Sequence, residues 1–229
     1  MKDIAIVAPV YRNAPTLPAL VARLRRVLGS EGLSHEIVLI DDACPDGSSE
    51  TISRLAARDP AIRLVSLDRN VGQHRAILAG LARSDAEWTV VMDADLQDPP
   101  EAIPALLAVA REGYSAVFAG RRGRYESRGR LATSRVFKQA LHSLCGVPTD
   151  AGAFVALDRD LVNELVAVPG GGPSIVAMIG CGGRPLVSVP VLRARRPHGR
   201  SAYSSWRRLR SALGALGWVA RRRLNGGLR

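Results

Sequence analysis

The chain has 229 residues, 47% hydrophobic and 23% charged, without repeats or low-complexity tracts; this excludes a fibrous or disordered protein and leaves one large domain or two small ones. Its three cysteines, Cys44, Cys145 and Cys181, lack metal-ligand spacing, which excludes a disulfide framework and a structural zinc site. The formal charge of +11 is concentrated late, because no acidic residue follows Glu164 whereas twelve arginines do, from Arg184 to Arg229.

That C-terminal part is therefore expected to face something anionic: a phosphate-bearing ligand, an anionic membrane surface or a nucleic acid. All basic residues except Lys2 and Lys138 are arginine. A compositional preference explains arginine over lysine but not the missing acids. Nucleic acid is the least expected partner: the late arginines have few interleaved aromatics, Tyr203, Trp206 and Trp218, and no DNA- or RNA-binding motif is present.

Met1-Lys2-Asp3 leads directly into a strand with no signal-peptide pattern, and no apolar run nears the roughly 20 residues that span a bilayer, so a cytoplasmic protein is expected. Ile4 to Val10 is that first strand, of the kind buried on both faces, and it ends in Pro9-Val10-Tyr11. Thr16 or Asn13 is placed to cap a helix running to about Leu28, with Leu17, Leu20, Leu24, Val27 and Leu28 on one face. His35 to Ile40 is a second strand, ending in Asp41-Asp42-Ala43-Cys44-Pro45-Asp46-Gly47-Ser48. A helix from about Ser49 to Arg58, a strand from Ile62 to Leu67, a turn at Asn70-Val71-Gly72-Gln73-His74 and a helix from Arg75 to Ala82 follow.

Trp88 to Met92 is the fourth strand, and it stops at Asp93-Ala94-Asp95-Leu96-Gln97-Asp98-Pro99-Pro100. A helix from Pro100 to Arg111 and a strand from Tyr114 to Ala119 continue the pattern. Asp150-Ala151-Gly152-Ala153-Phe154 then leads into a strand to Leu157 and a helix from near Arg159 to Val166. Tyr203 to Leu224 reads as a basic amphipathic helix, with Gly214 and Gly217 as places where it can break, and with Trp206, Leu209, Leu213, Leu216 and Val219 or Ala220 at near-helical spacing. It suits a membrane interface and equally a terminal helix docked on the sheet. Alternating strands and helices with short connections predict an α/β fold, a mostly parallel doubly wound sheet flanked by helices. The division expected is a domain over 1–202 and a basic helical tail over 203–229 without a transmembrane segment.

Acid arrives at two strand ends, where open α/β sheets bind their ligands. Asp93 and Asp95 repel each other unless something positive lies between them, and a hard divalent cation bridging phosphate oxygens is the usual solution. An isolated Asp-x-Asp is more often a solvated turn, so the rest of the chain has to decide. A dinucleotide-binding domain is excluded because the first turn, Ala8-Pro9-Val10-Tyr11-Arg12-Asn13, has no Gly-x-Gly-x-x-Gly, and a Walker-type loop is missing too.

Five stretches in order decide it: Ile6 to Tyr11, Ile40-Asp41-Asp42 through Asp46-Gly47-Ser48, Asn70-Val71-Gly72-Gln73, Val91 to Glu101, and, more weakly, Arg196-Pro197-His198-Gly199-Arg200-Ser201-Ala202-Tyr203. Together they resemble family 2 glycosyltransferases of the GT-A fold. The likeness is greatest to the polyprenyl-phosphate branch that includes dolichol-phosphate mannose synthase and bactoprenol glucosyltransferases. It covers about residues 3 to 203.

The resemblance implies a nucleoside diphosphate sugar donor, with Pro9, Tyr11 and Asn13 at the base pocket, Asp42 accepting hydrogen bonds from base or ribose, and Gln73 beside them. It implies Asp93, Asp95 and Gln97 as ligands of Mg²⁺ or Mn²⁺ against the diphosphate, with Asp95 essential to the chemistry. For the acceptor it implies a polyprenyl phosphate cradled by Arg121 and Arg135, with Arg196 as a third cation, and transfer with inversion at the cytoplasmic face of a membrane. A phosphate acceptor is already a nucleophile, so Asp150 then orients arginines; for a soluble hydroxyl or amine acceptor, the other reading, Asp150 becomes the general base. Three departures bear on that choice. Asn13 stands where the family usually has an acid, Cys44 where it has a serine, and Ala202 where it has a lysine.

Overall fold

The computed structural model describes residues 1–122, 128–194 and 205–224, with side chains over 1–120, 137–194 and 212–223. Seven strands, β1 (Lys2–Val10), β2 (His35–Asp41), β3 (Ile62–Ser66), β4 (Ala86–Val91), β5 (Ala116–Arg122), β6 (Val155–Asp158) and β7 (Leu186–Leu192), form one sheet in the order β3-β2-β1-β4-β6-β5-β7. The pairings β1–β2, β1–β4, β2–β3 and β5–β7 are parallel, whereas β6 runs antiparallel to both β4 and β5. The mostly parallel α/β sheet expected from the strand–helix alternation is present.

Because successive strand residues point to opposite faces, each strand supplies two cores. Ile4, Ile6 and Ala8 of β1, with Ile37 and Leu39 of β2, pack against α1 (Leu17–Ser30), α2 (Ser48–Ala56) and α4 (Ile103–Ala110). Val7, Val38, Ile40 and Phe118 face the other way, onto α3 (Gln73–Leu81), α6 (Arg159–Ala167), α7 (Ile175–Cys181) and the helices α5 (Arg128–Cys145) and α8 (Ser205–Leu224). At Gly80 of α3 an added Cβ would lie 2.6 Å from Ile40 and 2.7 Å from Val7. Gly80→Ala is therefore expected to destabilise the fold by about 1–3 kcal/mol through overpacking, read from the urea midpoint.

Three elements were not anticipated. α5 does carry apolar residues at helical spacing, Phe137, Leu141, Leu144 and Cys145, although its arginines drew the reading to phosphate binding; α7 is seven residues long and apolar all round, so it shows no amphipathic stripe. β7 contains Pro190, which reads against a strand but is tolerated because β7 is at the sheet edge. The expected helix cap is also corrected. Thr16 does precede α1, but its hydroxyl donates to the carbonyls of Asn13 at 2.9 Å and Ala94 at 2.8 Å, tying the loop after β1 to the loop after β4, and makes no cap bond.

Helix α8 docks through Ala215 and Val219, both buried in the core shared with α6 and α7, and leaves Leu213 62% exposed. The Arg222 guanidinium lies 5.4 Å over the Trp218 ring. Among the described residues no helix is long and apolar enough to cross a membrane.

Candidate active site

The loops leaving β1, β2 and β4 meet at one edge of the sheet, and backbone strain is concentrated there. Among the described residues, the non-glycine ones with left-handed backbones are Arg12 (φ 58°), Ala43 (φ 49°) and Leu96 (φ 62°), one in each of these loops. Such conformations cost on the order of 1–3 kcal/mol and persist where the surroundings over-determine them, commonly at functional sites.

The β1 and β2 loops are stitched together by Cys44 and Asp46. The Arg12 N–H donates to Cys44 Sγ at 2.7 Å, and the thiol donates to Asp46 Oδ1 at 2.6 Å. Asp46 also accepts from Ser48 Oγ at 2.6 Å and from the Ala14 N–H at 3.1 Å. Burial acts to raise the Asp46 pKa, but these hydrogen bonds outweigh it and hold the carboxyl below its ordinary value. Cys44 thus fills, as donor and acceptor, a place where a serine hydroxyl would also serve. Asn13 is drawn into the same turn, accepting from the Tyr11 N–H at 3.3 Å, while Tyr11 is partly buried with the Arg12 guanidinium 5.5 Å over its ring. Pro9 is partly buried near the end of β1, opposite Ile40.

Asp42, 3% exposed, accepts from the N–H groups of Val71 at 2.6 Å and Gly72 at 3.0 Å, and its carbonyl accepts from Asn70 Nδ2 at 3.2 Å. The carboxylate therefore builds the turn that opens α3. Gly72 in that turn has φ 86° and ψ 157°, a region open almost only to glycine. The turn places Gln73 so that its Nε2 donates to Asp93 Oδ1 at 2.6 Å. His74 beside it accepts from the Ile175 N–H at Nδ1, 3.4 Å away, and burial pushes its pKa below the usual histidine value. A folded pKa lying below the unfolded one means the unfolded chain takes up the proton first. Stability is then complete above about pH 6.5 and falls as pH drops below it. His74→Gln should flatten the urea midpoint between pH 7.5 and 5.

In the loop after β4, Asp95 is 5% exposed and accepts from the Gln97 N–H at 3.0 Å. The remaining acids face a residue that spacing did not single out. Arg193, just past β7, donates from Nη2 to Asp93 Oδ2 at 3.0 Å and from Nε to Asp98 Oδ1 at 2.9 Å. Burial works against the charge on Arg193, but Asp98, Asp93 and Asp95 overcome it and raise its pKa. Two further ties follow: the Ala194 N–H donates to the Gln97 carbonyl at 2.9 Å, and the Gln97 side-chain Nε2 donates to the Ala194 carbonyl at 3.3 Å.

The donor chemistry fits a hard divalent cation. Asp93, Asp95 and the Gln97 amide offer oxygen ligands, and the pocket already attracts one positive group. Among the described residues no three acidic, histidine or cysteine side chains converge as a complete ligand set.

On the neighbouring side of the sheet, the Asp150 carboxylate presses on Gly120, where an added Cβ would overlap it. Asp150 is thereby placed beside the end of β5, next in sequence to Arg121. Arg121 pairs with Val191 in β5 and Arg135 is in α5, though both side chains lie outside the described residues. Arg196 lies outside them entirely.

A mostly parallel sheet with acid-bearing loops at the ends of β2 and β4 is the GT-A architecture of nucleotide-sugar transferases. Solved structures agree: a mannosyltransferase from Pyrobaculum calidifontis in complex with GDP-Man and Mn²⁺ superposes with a TM-score of 0.67 at 22% identity, over 96% of this chain and 64% of that one. A glucosyl-3-phosphoglycerate synthase from Mycobacterium tuberculosis, in complex with Mn²⁺, UDP and phosphoglyceric acid, gives 0.69 at 20%, over 94% and 79%. The chain belongs to glycosyl transferase family 2, whose sequence profile matches residues 5–166. Among curated proteins it is 37% identical over 209 residues to the undecaprenyl-phosphate 4-deoxy-4-formamido-L-arabinose transferase of Pseudomonas paraeruginosa, covering 90% of this chain and 62% of that one. The enzyme of that name from Aeromonas hydrophila is 34% identical over 206 residues, covering 89% and 63%. The chain thus spans a little under two thirds of the length of these relatives.

Proposed function

We propose that this chain transfers one sugar, with inversion and metal dependence, from a nucleoside diphosphate sugar to a polyprenyl phosphate. The observation that carries the donor half is the cation-seeking loop of Asp93, Asp95 and Asp98 at the meeting point of the β1, β2 and β4 loops. The lipid half is supported by the names of the relatives that match 90% of the chain.

In this reading Asp93, Asp95 and Gln97 hold Mg²⁺ or Mn²⁺, which offsets charge building on the departing nucleoside diphosphate. Pro9, Tyr11 and Asn13 flank the base. Asp42 supports the base pocket through the Asn70–Gly72 turn. Arg121, Arg135 and Arg196 hold the acceptor phosphate, for which forked guanidinium groups are well suited. Asp150, beside Gly120, has the task of orienting the acceptor-side arginines in this reading. An anionic phosphate oxygen needs no base, and it attacks the anomeric carbon opposite the leaving diphosphate.

The domain over 1–202 carries the chemistry and the segment over 203–229 the membrane contact. The outward side of α8, with exposed Leu213, Arg221 and Arg223, supports a peripheral site on the cytoplasmic leaflet, each near-surface arginine adding about 1 kcal/mol on anionic lipid. The test is transfer of label from a panel of radiolabelled sugar nucleotides with Mg²⁺ or Mn²⁺, with and without a short-chain polyprenyl phosphate. Organic-extractable label that disappears with EDTA is the expected result. Donor hydrolysis without lipid product would reassign the acceptor to a soluble hydroxyl or amine.

A further inference from the structure

Arg193, just past β7, reaches into the acidic loop after β4, and the proposed chemistry gives it no task. Its side chain is only 10% exposed, it bridges Asp93 and the nearly buried Asp98, and its neighbour Ala194 is paired on both sides with Gln97. The guanidinium thus takes up Asp93 Oδ2, an oxygen of one proposed metal ligand, and the segment carrying it is tied to another.

We propose that Arg193 is a built-in counter-ion that neutralises the acidic loop when no metal is bound, holding Asp93 in place, and that yields Asp93 Oδ2 when the cation enters. The inference rests on the metal assignment above. Asp93 is held from two directions, by Gln73 on Oδ1 and Arg193 on Oδ2. Gln73 is neutral and can stay while a metal binds. Arg193 carries a full charge and opposes a divalent ion only a few ångströms away. Asp98, 3% exposed, keeps the guanidinium anchored through Nε, so yielding Asp93 requires the planar group to pivot as a whole about that bond, with no movement of β7. Such an arrangement keeps two or three close carboxylates from repelling each other in the empty site, at the cost of weaker metal affinity until the donor's diphosphate supplies further ligands.

The test is a Mn²⁺ titration of the full chain without donor or acceptor, following free Mn²⁺ by electron paramagnetic resonance. Arg193→Gln removes the charge and retains a hydrogen-bond donor. It is expected to bind Mn²⁺ about tenfold more tightly than the wild type, the size expected for one positive charge taken from beside a divalent ion in a hydrated site. Arg193→Lys keeps the charge and should stay near the wild-type affinity. Without metal, Arg193→Gln should melt at a lower temperature than the wild type, and saturating Mn²⁺ should recover more of its Tm.

Equal Mn²⁺ affinity in the wild type and Arg193→Gln, abolished in both by Asp95→Ala, would overturn the counter-ion role and leave the metal assignment standing. Binding that is absent from every variant, or insensitive to Asp95→Ala, would overturn the metal assignment and this inference with it. If Arg193→Gln does not fold, the wild type answers: Mg²⁺ should shift the Arg193 Nε–H resonance, identified by its loss in Arg193→Lys. An unmoved resonance at saturating Mg²⁺ would overturn the proposal.

Discussion

Asp95→Asn is expected to lower kcat for sugar transfer by about 10²–10³-fold, the range found when one group stabilising charge on a leaving or attacking oxygen is removed. The substitution is chosen for what it preserves. Asp95 accepts from the Gln97 N–H at 3.0 Å, and an asparagine oxygen can accept the same bond, so this tie within the turn after β4 is kept while the negative charge is removed. Asp93→Asn is a second case with a different signature. Its carboxylate takes hydrogen bonds from both Gln73 and Arg193, so the change weakens two contacts as well as the proposed metal site, and a fall in Tm should accompany the loss of activity. Initial rates at several Mn²⁺ concentrations, with melting curves, separate the two. A rate for Asp95→Asn within tenfold of the wild type at any Mn²⁺ level would remove this aspartate from the chemistry.

The second large effect is expected at Asp42. Asp42→Ala leaves the N–H groups of the partly buried Val71 and Gly72 without their acceptor, each costing about 1–3 kcal/mol, so a total of roughly 2–6 kcal/mol should appear in urea unfolding. The functional consequence travels further than the residue. The Asn70–Gly72 turn sets Gln73, and Gln73 holds Asp93, so donor binding and metal binding should weaken together, by about tenfold or more. Calorimetric titration with nucleoside diphosphates, with and without Mg²⁺, reads both. Destabilisation with unchanged nucleotide affinity would confine Asp42 to holding the fold.

Most of the sheet was readable along the chain because buried strands are short, β-branched and followed by turn residues, a signal that is local. The acid at the ends of β2 and β4 was readable for the same reason: Asp42, Asp93 and Asp95 lie within three residues of the end of such a run. The direction of β6 was not, since a strand buried on both faces has the same composition whether it runs parallel or antiparallel to its neighbours. Thr16 carried the right residue type for a cap and the wrong partner, because Ala94 comes within reach only once β1 and β4 are side by side. Cys44 looked like a departure from a serine, and its thiol turns out to accept from Arg12 and donate to Asp46.

The order of elements, the placement of acid at the strand ends and the excess of late arginine all follow from the linear order of residues, through periodicities and propensities that act over a few positions. Which arginine meets which acid does not. Arg193 is one of twelve arginines after Glu164, and nothing in its neighbours distinguishes it. It reaches Asp93 and Asp98 because β7, a proline-bearing edge strand, lies beside β5 with its end level with Arg122, bringing together groups 95 to 100 residues apart. Charge pairing at that separation has no local signature: it is set by strand order, and strand order is settled by packing of the whole sheet.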